Sequence, residues 1–215
     1  MKAIWAIAIN TFREVVRNRI FFVLILLACG LTSLVLAMGS VSLNQEKRVV
    51  IDLGLFLIST LTVVMSILLS GSMVHKELER KTIYTILSKP IHRYEFLLGK
   101  YMGNVLTSGV MVGVLGSLLA GCLVFVGGEI TPTYLYAIWF IWVEVMIVTA
   151  VSLFFISFSS PILSGSLAIG VFITGRFVPT LLAFKFEESA GELQLLEDFV
   201  HIFARVVPDL SLFNL

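Results

Sequence analysis

The chain alternates long apolar runs with short polar breaks. A bilayer core demands roughly 20 consecutive, mostly apolar residues in a helix. Five runs reach that length: Ile20–Met38, Leu53–Val74, Phe96–Val126, Tyr134–Phe158 and Ile162–Phe184. The third is long enough that it must tilt, kink or begin below the membrane surface. The fourth follows Thr131-Pro132-Thr133, a helix start with proline early. Ser159-Ser160-Pro161 joins the fourth run to the fifth, so those two should be antiparallel neighbours. Residues 1–19 read differently, with Asn10, Arg13, Glu14 and Arg17 on one helical face and Ile4, Ala8, Phe12, Val15 and Val16 on another. That pattern predicts an amphipathic helix lying in the membrane interface. The pattern as a whole predicts an all-α, polytopic membrane helical bundle of five spans over residues 20–184.

Composition agrees. Hydrophobic residues make up 58% of the chain and charged residues 13%, with a mean hydropathy of +1.02. A soluble domain is roughly half apolar and about a quarter charged. Cys29 and Cys122 both fall inside apolar runs, where they read as small packing side chains rather than a disulfide or metal pair. The net charge of +1 is uninformative; its distribution is not. With the N-terminus inside, the inner segments hold Lys2, Arg13, Arg17, Arg19 and the six bases of the 75–100 segment: Lys76, Arg80, Lys81, Lys89, Arg93 and Lys100. The outer segments hold Lys47, Arg48, Lys185 and Arg205. Ten bases against four place the N-terminus in the cytoplasm, with the protein in the cytoplasmic (inner) membrane.

An odd span count leaves residues 185–215 outside. Within them Glu192–Val207 carries Leu193, Leu195, Leu196, Phe199, Val200, Ile202, Phe203, Val206 and Val207 at helical spacing. Charges interrupt it too often for a span, so it reads as an amphipathic helix on the outer surface. The chain stops soon after the Pro208-Asp209-Leu210-Ser211 turn, which predicts a further, sixth span beyond it. Leu26-Leu27-Ala28-Cys29 resembles a lipoprotein cleavage box. The apolar run continues past it and four more runs follow, against a cleaved signal.

Candidate chemistry is sparse. No Gly-x-x-x-x-Gly-Lys-Ser/Thr phosphate loop exists; the one Gly-Lys pair, Gly99-Lys100, lacks the upstream glycine. The chain therefore has no ATPase motif of its own. No His-Glu-x-x-His zinc motif is present, and His75, His92 and His201 lie far apart in polar segments. Two charges fall inside the apolar runs, Glu144 and Arg176. Their positions in the fourth and fifth runs put them about 15 Å and about 12 Å from the outer ends, at about 1.5 Å per residue. Intramembrane charges are costly and point to function by default. The two can form an ion pair that fixes helix packing, or line a substrate path. Pro179, just beyond Arg176, is placed to break the helix near the outer surface. Glycines recur at spacing four, Gly99-x-x-x-Gly103 and Gly109-x-x-x-Gly113, with Gly116 and Gly121 beyond. Such spacing permits close helix approach, either within the subunit or at a dimer face.

The 75–100 segment has internal design. Glu77-Leu78-Glu79-Arg80-Lys81-Thr82-Ile83 is a charged helix start, Tyr84 to Leu87 form an apolar patch, and Lys89-Pro90 breaks it. A loop that only joined two spans needs none of this. This block, with Arg93-Tyr94-Glu95-Phe96 after it, resembles the cytoplasmic loop of the ABC-2 type permeases, the membrane subunits of one class of ABC exporter. The opening from Ala6 to Glu14, followed by Arg17-Asn18-Arg19, resembles that class's interfacial helix. Ser159-Ser160-Pro161, leading into a glycine-rich run, is similar too.

The resemblance implies a mechanism. Two such subunits, alike or different, pair in the bilayer, each bound to a separate cytoplasmic ABC ATPase. ATP binds and is hydrolysed on that partner, and this chain binds no cofactor. A short helix within Glu77–Ser88 would seat in a groove on the ATPase. Glu77, Glu79, Arg80 and Lys81 would form surface pairs there. Ile83, Tyr84, Ile86 and Leu87 would fill the groove, where aromatic anchors carry much of the binding energy. Arg93 and Glu95 would hold the start of the third span. The resemblance implies no nucleic-acid partner. A non-transporting membrane scaffold for a cytoplasmic complex explains the loop equally well, but not Glu144 and Arg176. The substrate cannot be read from these residues.

Overall fold

A computed structural model of the chain describes residues 2–41, 46–79 and 93–183. These form six helices: α1 (Lys2–Val16), α2 (Arg19–Val41), α3 (Glu46–Glu79), α4 (Arg93–Phe125), α5 (Pro132–Ile156) and α6 (Pro161–Ala183). The protein is an all-α polytopic bundle. Among the described residues, α3, α4 and α5 are each long and apolar enough to cross a membrane. The apolar helices α2 and α6, 23 residues each, pack beside them. α1 and α2 are bent by 61° against one another at Arg17-Asn18, where the Asn18 carbonyl accepts the Phe21 N–H at 3.0 Å.

α3 is the hub, packed against α2, α4, α5 and α6. Residue-to-residue contacts give the directions. Ser59 meets Glu144 while Ser66 meets Thr149, so α3 and α5 run parallel. Ser66 and Ser70 meet Asn104, whereas Thr62 and Met111 share one crevice, so α4 runs antiparallel to α3. Trp142 donates from Nε1 to the Val105 carbonyl at 3.3 Å and Tyr134 from its hydroxyl to the Gly116 carbonyl at 2.6 Å, which sets α5 antiparallel to α4. α6 returns against α5, placing Arg176 beside Glu144.

The turn between α4 and α5 follows from its residues. Gly127 adopts φ 75°, a conformation that costs glycine nothing. The Gly128 N–H reaches the Leu123 carbonyl at 2.9 Å and the Gly127 N–H reaches that of Val124 at 3.0 Å. Those two bonds are the Schellman closure of a helix C-terminus. Thr131 then stands in extended backbone at the N-cap position of a helix whose first residue is Pro132, its carbonyl accepting the Tyr134 N–H at 3.0 Å.

The first glycine pair finds its partner within the subunit. A Cβ on Gly99 would lie 2.7 Å from the Ile7 side chain and 3.1 Å from the Ile4 carbonyl oxygen. A Cβ on Gly103 would lie 2.5 Å from the Thr11 side chain and 2.8 Å from the Ala8 carbonyl oxygen. Four residues along α4 match four along α1, so the helices run parallel in close backbone contact over a full turn. Ala8, Thr11 and Val15 are buried there, while Trp5, Asn10, Arg13 and Glu14 stay exposed. Gly109 abuts the Trp142 ring and Gly116 abuts Ile138. Gly113 and Gly121 are exposed, with nothing within 4 Å of an added Cβ.

Two local expectations change. α3 runs 34 residues, about 50 Å at about 1.5 Å per residue, well past the apolar run at both ends. Glu, Lys and Arg are good helix formers, so the helix outlasts its apolar core; outside it, Arg48 and Asp52 form an exposed pair at 3.7 Å. The segment read as a loop over 75–100 is therefore helical through Glu79 and again from Arg93. Lys100 is buried within α4, its Nζ 5.0 Å from the Phe96 ring centroid. Nor does Pro179 end the fifth apolar helix, which continues to Ala183. The carbonyl that loses its donor there belongs to residue 175, a glycine, whose bare backbone can tilt away from the proline ring.

Candidate functional site

The polar groups inside the bundle form two linked sets along α3. Ser59, Thr62, Ser66 and Ser70 fall at spacings of three, four and four, which puts all four on one helical face. All are buried. That face looks toward α4, α5 and α6 rather than lipid.

The first set joins three helices. Glu144 of α5 is only 2% exposed. Ser59 of α3 donates to its Oε2 at 2.7 Å. Arg176 of α6 donates from Nη1 to Ser59 Oγ at 2.9 Å and lies 3.5 Å from Glu144 Oε1. The serine hydroxyl therefore bridges cation and anion. The guanidinium also sits 5.1 Å from the Phe56 ring centroid and 5.8 Å from that of Phe172, contacts that favour a partly desolvated cation. A buried pair in this geometry neutralises both charges and ties α3, α5 and α6 at one level.

The second set lies one to three turns further along α3, toward the Glu79 end, and is uncharged. Thr149 donates to its own helix at the Val145 carbonyl, 2.6 Å. Its proton is thus committed, so Ser66 must donate to Thr149 across their 2.5 Å contact. Ser70 donates to the Ser66 carbonyl at 2.8 Å. Asn104 of α4 then donates from Nδ2 to Ser70 Oγ at 2.8 Å and toward Ser66 at 3.2 to 3.3 Å. With those hydroxyl protons spent, the amide has one consistent orientation.

The two intramembrane charges read from the sequence are thus brought together. Of the proposed coupling residues, the described ones lie at the ends of α3 and α4 rather than at this pair. Glu77 and Glu79 occupy the last turn of α3. Arg93 opens α4, with Glu95 in its first turn, where an acidic side chain suits the helix dipole. Arg80, Lys81, Ile83, Tyr84, Ile86 and Leu87 lie outside the described residues, as do residues 184–215. The uncharged set escaped the sequence reading. Its signal was present as a helical stripe of hydroxyls in an apolar run, plus a lone asparagine. Among the described residues no group of His, Cys, Asp or Glu converges to hold a metal ion.

The sequence model for the family described as ABC-2 family transporter protein matches residues 5–208, nearly the whole chain. The chain belongs to this family. It is an integral membrane protein of the ABC-2 permease class. None of the curated proteins compared matches it.

Proposed function

We propose that this ABC-2 permease forms the translocation path of an ATP-driven exporter and is driven by a separate cytoplasmic ATPase. Family membership across residues 5–208 carries the reading. Supporting it, the chain holds no phosphate loop, and its basic, helix-forming segment sits between two apolar helices. In this reading the N-terminus is cytoplasmic in the inner membrane, by the ten-to-four distribution of bases. Two permease subunits, alike or different, assemble with the ATPases.

Coupling runs through residues 77–88. Glu77, Glu79, Arg80 and Lys81 pair with charges on the ATPase surface, and Ile83, Tyr84 and Leu87 fill its groove. Arg93 and Glu95 pass movement of that contact to α4. Because Gly99 and Gly103 bind α1 so closely, α1 must move with the first turns of α4. ATP is held by the partner, and this chain holds no cofactor of its own. Glu144 and Arg176 keep α3, α5 and α6 together while the path opens.

Co-purification from detergent with the cognate ATPase tests this. Wild type is expected to retain it. The triple variant Glu79→Lys/Arg80→Glu/Leu87→Asp, inserted normally, is expected to lose it. Equal retention by both, or none by wild type, rejects the coupling role of this segment.

A further inference from the structure

Between α3 and α4 lies a crevice lined by Thr62, Met65, Ser66, Asn104, Ser108 and Met111. It is too narrow in this state to admit a water molecule. Two of its polar atoms have no hydrogen-bond partner among the described residues: the Thr62 hydroxyl and the Asn104 side-chain oxygen. Thr62 is 1% and Asn104 2% exposed. Buried polar groups are nearly always paired, and leaving one unmet is costly. Most other hydroxyls in the bundle bond back to their own helix, as Thr32, Thr107, Ser117 and Thr174 do. Thr62 does not. Nor can Asn104 turn its oxygen to Ser66 or Ser70, because both serine protons are already committed.

The crevice therefore offers one unmet donor and one unmet acceptor, and no net charge. A hydroxyl group, itself a donor and an acceptor, satisfies both. An ion does not: the lining residues carry no charge to balance it, and Glu144 and Arg176 already pair with each other. We propose that when α3 and α4 part, this crevice within a single subunit receives a neutral, hydroxyl-bearing group, from a glycosylated lipid headgroup or a soluble polyol. The methionines at 65 and 111 would yield with little strain, since the thioether chain adapts readily. The assignment deepens the transport reading and rests on it.

Cysteine labelling in membranes tests it. In a Cys29→Ala/Cys122→Ala background, Ser108→Cys is the reporter, since among the described residues the Ser108 hydroxyl serves only the Val105 carbonyl, at 2.9 Å. Met111→Cys is a second reporter should the first fail to fold. Three methanethiosulfonates of similar size are compared: hydroxyethyl, aminoethyl and sulfonatoethyl. The neutral hydroxyethyl reagent is expected to react at least ~tenfold faster than either charged one, because a charge at this depth is penalised. Thr62→Val is expected to slow it by ~3- to 10-fold, the loss of one neutral hydrogen bond, with Thr62→Ser restoring the rate. Slowing by glycerol in the bath assigns the group to a soluble polyol. Slowing in vesicles containing glycosyl diacylglycerol assigns it to a lipid. No labelling at either reporter, with or without ATPase and ATP, overturns the proposal. So do charged reagents that match the neutral one, indifference to Thr62→Val, or slowing by neither competitor. Labelling without ATPase retention would reject the coupling reading and leave the crevice standing.

Discussion

Two neighbouring stretches of the same helix face handle buried polarity in opposite ways. At Ser59, α3 meets a full ion pair, and its hydroxyl is used twice, donating to Glu144 and accepting from Arg176. One turn further on, Thr62 meets no charge and has no hydrogen-bond partner among the described residues, across the crevice from the unmet oxygen of Asn104. The charged stretch carries the denser set of bonds, although Arg176 Nη2 is also without a hydrogen-bond partner among the described residues. Charge inside a bilayer is costly enough that it survives only where partners hold it, so the pair reads as a fixture binding three helices. An unmet neutral hydroxyl is costly too, but less so than an unmet charge.

If the charged stretch is the fixture, breaking it should have the largest effect. Glu144→Ala leaves Arg176 buried without its anion, a loss of about 3–5 kcal/mol in comparable buried pairs. The expected outcome is a collapse of monodisperse protein on detergent size exclusion. The double variant Glu144→Leu/Arg176→Met should recover most of the wild-type yield, since pair and hydrocarbon differ little in net stability. A double variant as poor as the single would show that the pair does more than hold helices.

The next largest effect tests a second contrast, within α4. Gly103→Leu forces a side chain into the Ala8 carbonyl and the Thr11 side chain, at an overpacking cost of about 1–3 kcal/mol. Gly113→Ala meets nothing within 4 Å and should match or exceed wild type by up to about 1 kcal/mol, from helix propensity. Thermal melts in one detergent compare them. A loss at Gly113 equal to that at Gly103 would mean its face is covered in the assembled transporter.

How much of this was legible follows the physics of each signal. Apolar runs revealed the bundle because a bilayer imposes their length, and Thr131-Pro132 marked the start of α5 for a similarly local reason. Glu144 and Arg176 stood out because charge in such runs is rare. That they meet needed the short turn at Ser159-Ser160-Pro161, which the sequence also supplies. The glycine spacing announced a close approach without naming α1 as the partner, since only tertiary packing decides which helix fills a notch. The ends of α3 were hidden because hydropathy reports burial, not helix. The hydroxyl stripe stayed silent for another reason: serine and threonine usually satisfy themselves on their own helix, so their presence says nothing until bond partners are traced.

Within the neutral stretch, two substitutions one turn apart should behave differently. Ser66→Ala removes a hydroxyl that donates to Thr149 and accepts from Asn104, leaving both partners short, at about 1–3 kcal/mol. Thr62→Val removes a hydroxyl that serves no described partner and replaces it with a methyl of nearly the same shape. Its expected effect on melting is nil or a slight gain, up to about 1 kcal/mol, because an unmet buried donor disappears. A stabilised Thr62→Val that transports normally would reduce Thr62 to an imperfection of packing. A stabilised Thr62→Val that loses substrate-stimulated ATPase activity in the assembled transporter would mean that the unmet hydroxyl is kept at a cost to stability, which is what a group reserved for a ligand requires.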